Sequence, residues 1–106
     1  MASPRKKGNT AKITGWIKDE LTFLGHHVDD IYLNEKKISG CLSCASCKDQ
    51  SDLISCVQTD ETPQILQKMT QSDLILFASP VYFWGFSAQM KIVIDRTFSL
   101  YTNYHQ

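Results

Sequence analysis

The 106-residue chain has no apolar run of transmembrane length and no apolar N-terminal stretch that could act as a signal peptide. A membrane-spanning protein is therefore not expected, and the cytoplasm is the expected compartment. The chain also has no net charge, because eleven Lys and Arg residues balance eleven Asp and Glu residues. A nucleic-acid binder of this size would carry a basic excess gathered on one face. Here the basic residues gather only at Arg5, Lys6 and Lys7, with Lys12 a turn later, so nucleic acid is not an expected partner. Repeats, low-complexity tracts and linkers are missing too, and the length suits one domain at most.

What is present alternates between two periodicities. From Thr10 to Leu24 the residues Ile13, Ile17, Leu21 and Leu24 recur at helical spacing, with Asn9 as the expected cap and Gly25 as the stop. Val28, Ile31 and Leu33 read as a short strand. A second helix is expected after Asp60 and Pro63, carrying Ile65, Leu66 and Met69. Leu74 to Ala78 is apolar without a polar break, the pattern of a strand buried on both faces of a parallel sheet. Ser87 is the expected cap of a third helix running to about Phe98, with Ala88, Met90, Ile94 and Phe98 among its apolar positions. Helices alternating with strands predict an α/β fold with a parallel sheet.

Two loops carry candidate binding chemistry. "SPRKKGNT" feeds the start of the first helix, where the leading amides lack internal partners and the dipole favours an anion. Ser3, Asn9 and Thr10 add donors, Arg5 adds a fixed cation, and Gly8 permits close backbone approach. The single glycine fits neither a Walker loop nor a Rossmann fingerprint. "PVYFWG", residues 80–85, follows the apolar run, where ligands sit in open α/β sheets. Tyr82, Phe83 and Trp84 can offer flat contact to a planar ring, or can simply plug the end of a sheet.

The four cysteines lie in one segment, "CLSCASCKDQSDLISC". Two residues separate Cys41 from Cys44 and Cys44 from Cys47, and eight separate Cys47 from Cys56. Three thiolates so spaced can hold three corners of an iron–sulfur cube while a fourth reaches in. A tetrathiolate zinc site and unliganded thiols are the other readings. Asp49, Asp52 and Asp60 are expected to face solvent, as are His26, His27 and His105. Asp95 and Arg96 are neighbours on a helix and so do not face each other. They are expected to pair with other groups rather than to catalyse.

Residues Ser3, Pro4, Arg5, Gly8, Asn9 and Thr10, then Pro80, Val81, Tyr82, Phe83, Trp84 and Gly85, then Ser87, Ala88, Lys91, Asp95 and Arg96, together resemble the flavodoxin-like NAD(P)H-dependent FMN reductase family. That family includes the iron–sulfur flavoproteins. The resemblance implies a three-layer flavodoxin-like parallel sheet, here an incomplete one spanning 1–106 without its first strand and its C-terminal half. It implies FMN with its phosphate at Ser3, Arg5, Gly8, Asn9 and Thr10 and its ring against residues 80–85. NAD(P)H would be the co-substrate, and Cys41, Cys44, Cys47 and Cys56 would hold a [4Fe–4S] cluster, although the last gap is longer than the family's motif. No residue is expected to act as acid, base or nucleophile. With so much of the domain missing, FMN should bind weakly, and a homo-oligomer is expected to supply missing sheet edges. The competing reading is a non-catalytic remnant or metal-binding module with little or no flavin affinity.

Overall fold

The computed structural model describes residues 1–48 and 56–101. Three α-helices organise them: α1 (Asn9–Phe23), α2 (Thr62–Thr70) and α3 (Ala88–Arg96). Short 3₁₀ turns cover Leu33–Glu35, Ser46–Lys48 and Thr97–Leu100. The chain divides into two compact units, one of Met1–Glu35 with Leu76–Met90 and one of Lys36–Ile75 with Lys91–Gln106.

The expected parallel sheet is not found. Among the described residues there is no β-strand, and the one β-bridge joins Tyr82 to Gly85 within a turn. The runs read as strands are held by Met1 and Ala2, not by each other. The Met1 nitrogen donates to the Ile31 carbonyl at 2.7 Å, and the Leu33 amide donates to the Met1 carbonyl at 3.0 Å. The Ala2 amide in turn donates to the Ala78 carbonyl at 2.7 Å. This in-and-out pattern is that of a parallel pair, but it ends after two residues, short of a ladder. Ala2 is fully buried by it. Residues 74–77, expected to be covered on both faces, are instead exposed, Leu74 at 76% and Leu76 at 54%. Among the described residues, nothing covers their side chains.

The helices fall close to their expected places. Helix α1 has Gly8 rather than Asn9 at its N-cap. At its other end Gly25 takes a φ of 91°, and the Gly25 and His26 amides bond back to the Thr22 and Leu21 carbonyls. That closing turn needs a left-handed residue, which glycine supplies without strain. No residue of α1 is buried, so the stripe of Ile13, Trp16 and Ile17 is exposed or half-exposed. Helix α2 starts after Glu61, with Asp60 Oδ1 accepting the Thr62 amide, and buries Thr62, Ile65 and Leu66. On α3 and the turn after it, the buried line is Met90, Val93, Arg96 and Ser99, recurring every third residue. Ala88 and Phe98, assigned to the apolar face from sequence, are exposed.

Candidate flavin loop and cysteine site

In the first unit the two candidate binding loops grow from one base. The fully buried Ser87 donates its hydroxyl to the Ala2 carbonyl at 3.1 Å and accepts the Met90 amide at 3.4 Å, which makes it the cap expected for α3. Its own amide donates to Ser79 Oγ at 2.9 Å. Ser79 and Ser87 therefore close the 80–86 loop at its neck, and Ala2 brings the 3–10 loop to the same place. Ser79 and Ala2 were not singled out from the sequence. A serine at each end of an aromatic loop was the signal available.

The 3–10 loop folds tightly on itself. Ser3 is buried and its Oγ accepts the Arg5 amide at 3.2 Å, while the Gly8 amide donates to the Arg5 carbonyl at 3.1 Å. A Cβ at Gly8 would lie 3.1 Å from Arg5 Cβ and 3.4 Å from the Arg5 carbonyl oxygen. A side chain at Gly8 would press on Arg5, which would have to give by a few tenths of an ångström, while the backbone angles ask for no glycine. No side chain caps α1, and the Lys12 amide is the first to bond back, to the Gly8 carbonyl. The first-turn amides, Asn9 and Thr10 among them, are thus open to an anion. Lys6 is paired with Glu35, whereas Arg5 and Lys7 make no ion pair among the described residues.

Residues 82–85 form a two-residue turn, with mutual Tyr82–Gly85 backbone bonds of 3.0 Å. Phe83 and Trp84 occupy its tip at φ 46° and 65° and are 99% and 93% exposed. Non-glycine residues in that region cost about 1–3 kcal/mol each and cluster at functional sites. Val81 and Tyr82 are exposed, and Pro80 is half-buried. The aromatics therefore plug nothing in this unit.

The second unit carries the cysteines on a stem. Lys37 and Glu61 exchange backbone and side-chain bonds, the Ser39 amide donates to Asp60 Oδ2 at 2.8 Å, and Gln58 Nε2 donates to the Gly40 carbonyl at 3.0 Å. The chain entering the cysteine segment is thus fixed to the chain leaving it. Cys41 and Cys44 are exposed, Cys47 is buried, Cys56 is half-buried, and none forms a disulfide. Ser43 and Ala45, on either side of Cys44, take left-handed φ values of 54° and 56°. The Ser43 amide donates to Cys41 Sγ at 3.4 Å, and Arg96 Nη2 donates to Cys56 Sγ at 3.3 Å. Hydrogen bonds from the Ser46 side chain and backbone hold the Cys44 thiol below its usual range.

This donor chemistry fits thiolates bound to a cluster, whose potential depends on N–H donors to sulfur. The described residues show no group of three or more His, Cys, Asp or Glu converging on one metal ion. Asp60, expected to face solvent, is instead mostly buried and pairs with Arg96 at 2.8 Å. Burial raises its pKa, but bonds from Arg96, Ser39 and Thr62 outweigh that and leave the carboxyl below its ordinary value. Burial likewise lowers the Arg96 pKa, and the bonds to Asp60 and Cys56 more than offset it. Asp95 pairs with Lys91, as a residue facing away from Arg96 should. His26 and His27 are exposed, while Asp49, Asp52 and His105 lie outside the described residues.

Among the described residues no helix is long and apolar enough to cross a membrane. No solved structure gives a significant match to the chain. Sequence comparison does. The chain is 36% identical over 91% of its length to an iron-sulfur flavoprotein of Archaeoglobus fulgidus, of which it covers 42%. It is 36% identical over 90% of its length to an iron-sulfur flavoprotein of Methanocaldococcus jannaschii and 34% identical over 90% to one of Methanosarcina thermophila, covering 48% of each. The chain thus spans less than half the length of these relatives. The profile of the NADPH-dependent FMN reductases matches residues 1–106 without a break, and the chain belongs to that family.

Proposed function

We propose that this chain is the FMN- and cluster-binding part of an electron-transfer flavoprotein that takes electrons from NAD(P)H. The observation that carries the reading is the common base in the first unit. Ala2, Ser79 and Ser87 tie an uncapped helix start to an exposed aromatic turn, giving an anion site and a stacking surface from one small set of bonds. The α1 amides, with Arg5 beside them, bind the FMN phosphate, and Tyr82, Phe83 and Trp84 lie against the ring. Bound FMN supplies hydride acceptance from the nicotinamide and one-electron release to an acceptor. The residues named bind and orient, and none donates or removes a proton.

Cys41, Cys44, Cys47 and Cys56 hold a [4Fe–4S] cluster in this reading. The relatives' names and the N–H donors already aimed at the sulfurs of Cys41 and Cys56 support it. Affinity for FMN is weak, because Phe83 and Trp84 have almost no packing to hold them in place. A second copy of the chain, covering the exposed run 74–77, is part of the same proposal.

Titration of the purified chain with FMN and with riboflavin tests the flavin site, read by flavin fluorescence. Quenching that saturates with FMN and is much weaker with riboflavin supports a site built on the phosphate. Equal responses, or none, contradict it.

A further inference from the structure

One side chain in the second unit does far more than a surface arginine would. Arg96 is 1% exposed and fills both arms of its guanidinium. Nη1 donates to the Ser39 carbonyl and to Asp60 Oδ2, both at 2.8 Å, and Nη2 donates to Asp60 Oδ1 at 3.0 Å and to Cys56 Sγ at 3.3 Å. It therefore meets the chain just before Cys41, at Cys56 itself, and at the Asp60 carboxylate that accepts the first amide of α2. Its remaining donor, Nε, is buried and has no acceptor among the described residues.

Cys47 is tied to the same element by its neighbour. Lys48 Nζ donates to the Phe98 carbonyl at 2.6 Å and to the Tyr101 carbonyl, and lies 3.9 Å from the centroid of the Phe98 ring. Eight residues separate the third and fourth cysteines, yet Cys56 and Lys48, the neighbour of Cys47, are both anchored to the end of α3 and the residues just after it.

We propose that Arg96 is the positioning residue of the cysteine site: it holds Cys56 in place as the fourth ligand, whatever the length of the segment before it, and its N–H donation to the Cys56 sulfur raises the reduction potential of the cluster. The proposal rests on the cluster reading above. A cluster on four thiolates carries net negative charge, and an N–H donor to sulfur favours its reduced form, while the charge of Arg96 is offset by the Asp60 carboxylate with which it pairs. Partners of ligating residues typically matter about 10–100-fold in metal affinity. A planar fork can serve Ser39, Asp60 and Cys56 at once, which an ammonium cannot.

The test uses the full chain reconstituted anaerobically with iron and sulfide, as wild type, Arg96→Gln and Arg96→Lys. Iron and sulfide content, the rate of iron loss to a chelator, and the midpoint potential from an EPR-monitored titration are read for each. Wild type should hold about four irons and four sulfides per chain. Arg96→Gln should lose iron about 10–100-fold faster and titrate at a lower potential. Arg96→Lys, whose ammonium cannot serve all three partners at once, should also lose iron faster and titrate below wild type, though by less than Arg96→Gln, and it decides the matter if Arg96→Gln does not fold. Variants that keep the wild-type iron-loss rate and potential overturn the proposal and leave the cluster reading standing. So do variants that merely bind less iron while their clusters keep the wild-type potential, since that is a structural role only. A wild-type chain that takes up no cluster overturns the cluster reading itself, and the proposal with it.

Discussion

Replacing Ser87 with alanine is the most informative perturbation of the first unit. The hydroxyl is fully buried and makes two bonds, one to the Ala2 carbonyl and a longer one to the Met90 amide. Its removal leaves an orphaned acceptor at Ala2, at a cost of about 1–3 kcal/mol. Loss of the α3 cap adds about 0.5–1 kcal/mol, the low end of the range because the capping bond is 3.4 Å long. Ser87→Ala should therefore destabilise the chain by about 1.5–4 kcal/mol, a fall in Tm of at least about 6 °C. Thermal unfolding followed by circular dichroism measures it. FMN affinity should fall as well, since Ser87 joins the bases of both loops. A change within about 0.5 kcal/mol, the usual size for a surface substitution, would refute the account of how these loops are held together.

Other outcomes follow from single features. Leu66→Ala, at a fully buried position of α2, should cost about 2–5 kcal/mol, while Leu74→Ala, at a position 76% exposed, should change stability by less than about 0.5 kcal/mol. Chemical denaturation of both variants checks the pair, and equal losses would mean that residues 74–77 are covered after all. Asp60 has a folded-state pKa below its ordinary value of 3.8, so its contribution to stability is complete above that value and fades as pH falls through the lower folded one. Protection of the Thr62 amide against hydrogen exchange, taken relative to the intrinsic rate at each pH, should fall on acidification below about pH 4, and Asp60→Asn should abolish that fall. In the cluster-free chain, Cys44 should be alkylated fastest, because it is exposed and its thiol is held low by Ser46, and buried Cys47 slowest. Mass spectrometry of timed iodoacetamide labelling gives the order, and a faster Cys47 would contradict the placement of these side chains.

The elements that were legible in the sequence are those set by local chemistry. Gly25 ends α1 because the closing turn needs a left-handed residue, and Ser87 begins α3 because its hydroxyl reaches the amide three residues on. The glycine in the 3–10 loop was also legible, although its reason is contact with Arg5. The sheet was misread because an unbroken apolar run such as 74–78 states a preference for burial without saying what provides the cover. Here Met1 and Ala2, two residues with no strand signature, supply the only backbone pairing between the two runs among the described residues. The partners of the cysteine site were illegible for a different reason. Arg96 lies forty residues beyond Cys56, and only the fold brings the guanidinium to the sulfur. Asp60 reads as the cap of α2 from the sequence, but the cap is Glu61, and Asp60, one residue earlier, accepts the Thr62 amide while forming an ion pair with Arg96 that the sequence does not reveal.

The account's central claim is that the uncapped start of α1 and the aromatic turn at 82–85 form one flavin site. An amide-correlation NMR titration of the isotopically labelled chain with FMN tests it most directly. The account predicts saturable shifts concentrated at Gly8, Asn9 and Thr10 and at the Trp84 indole, with residues 41–48 unmoved. Shifts confined to the cysteine segment, or none anywhere at high FMN, would contradict it.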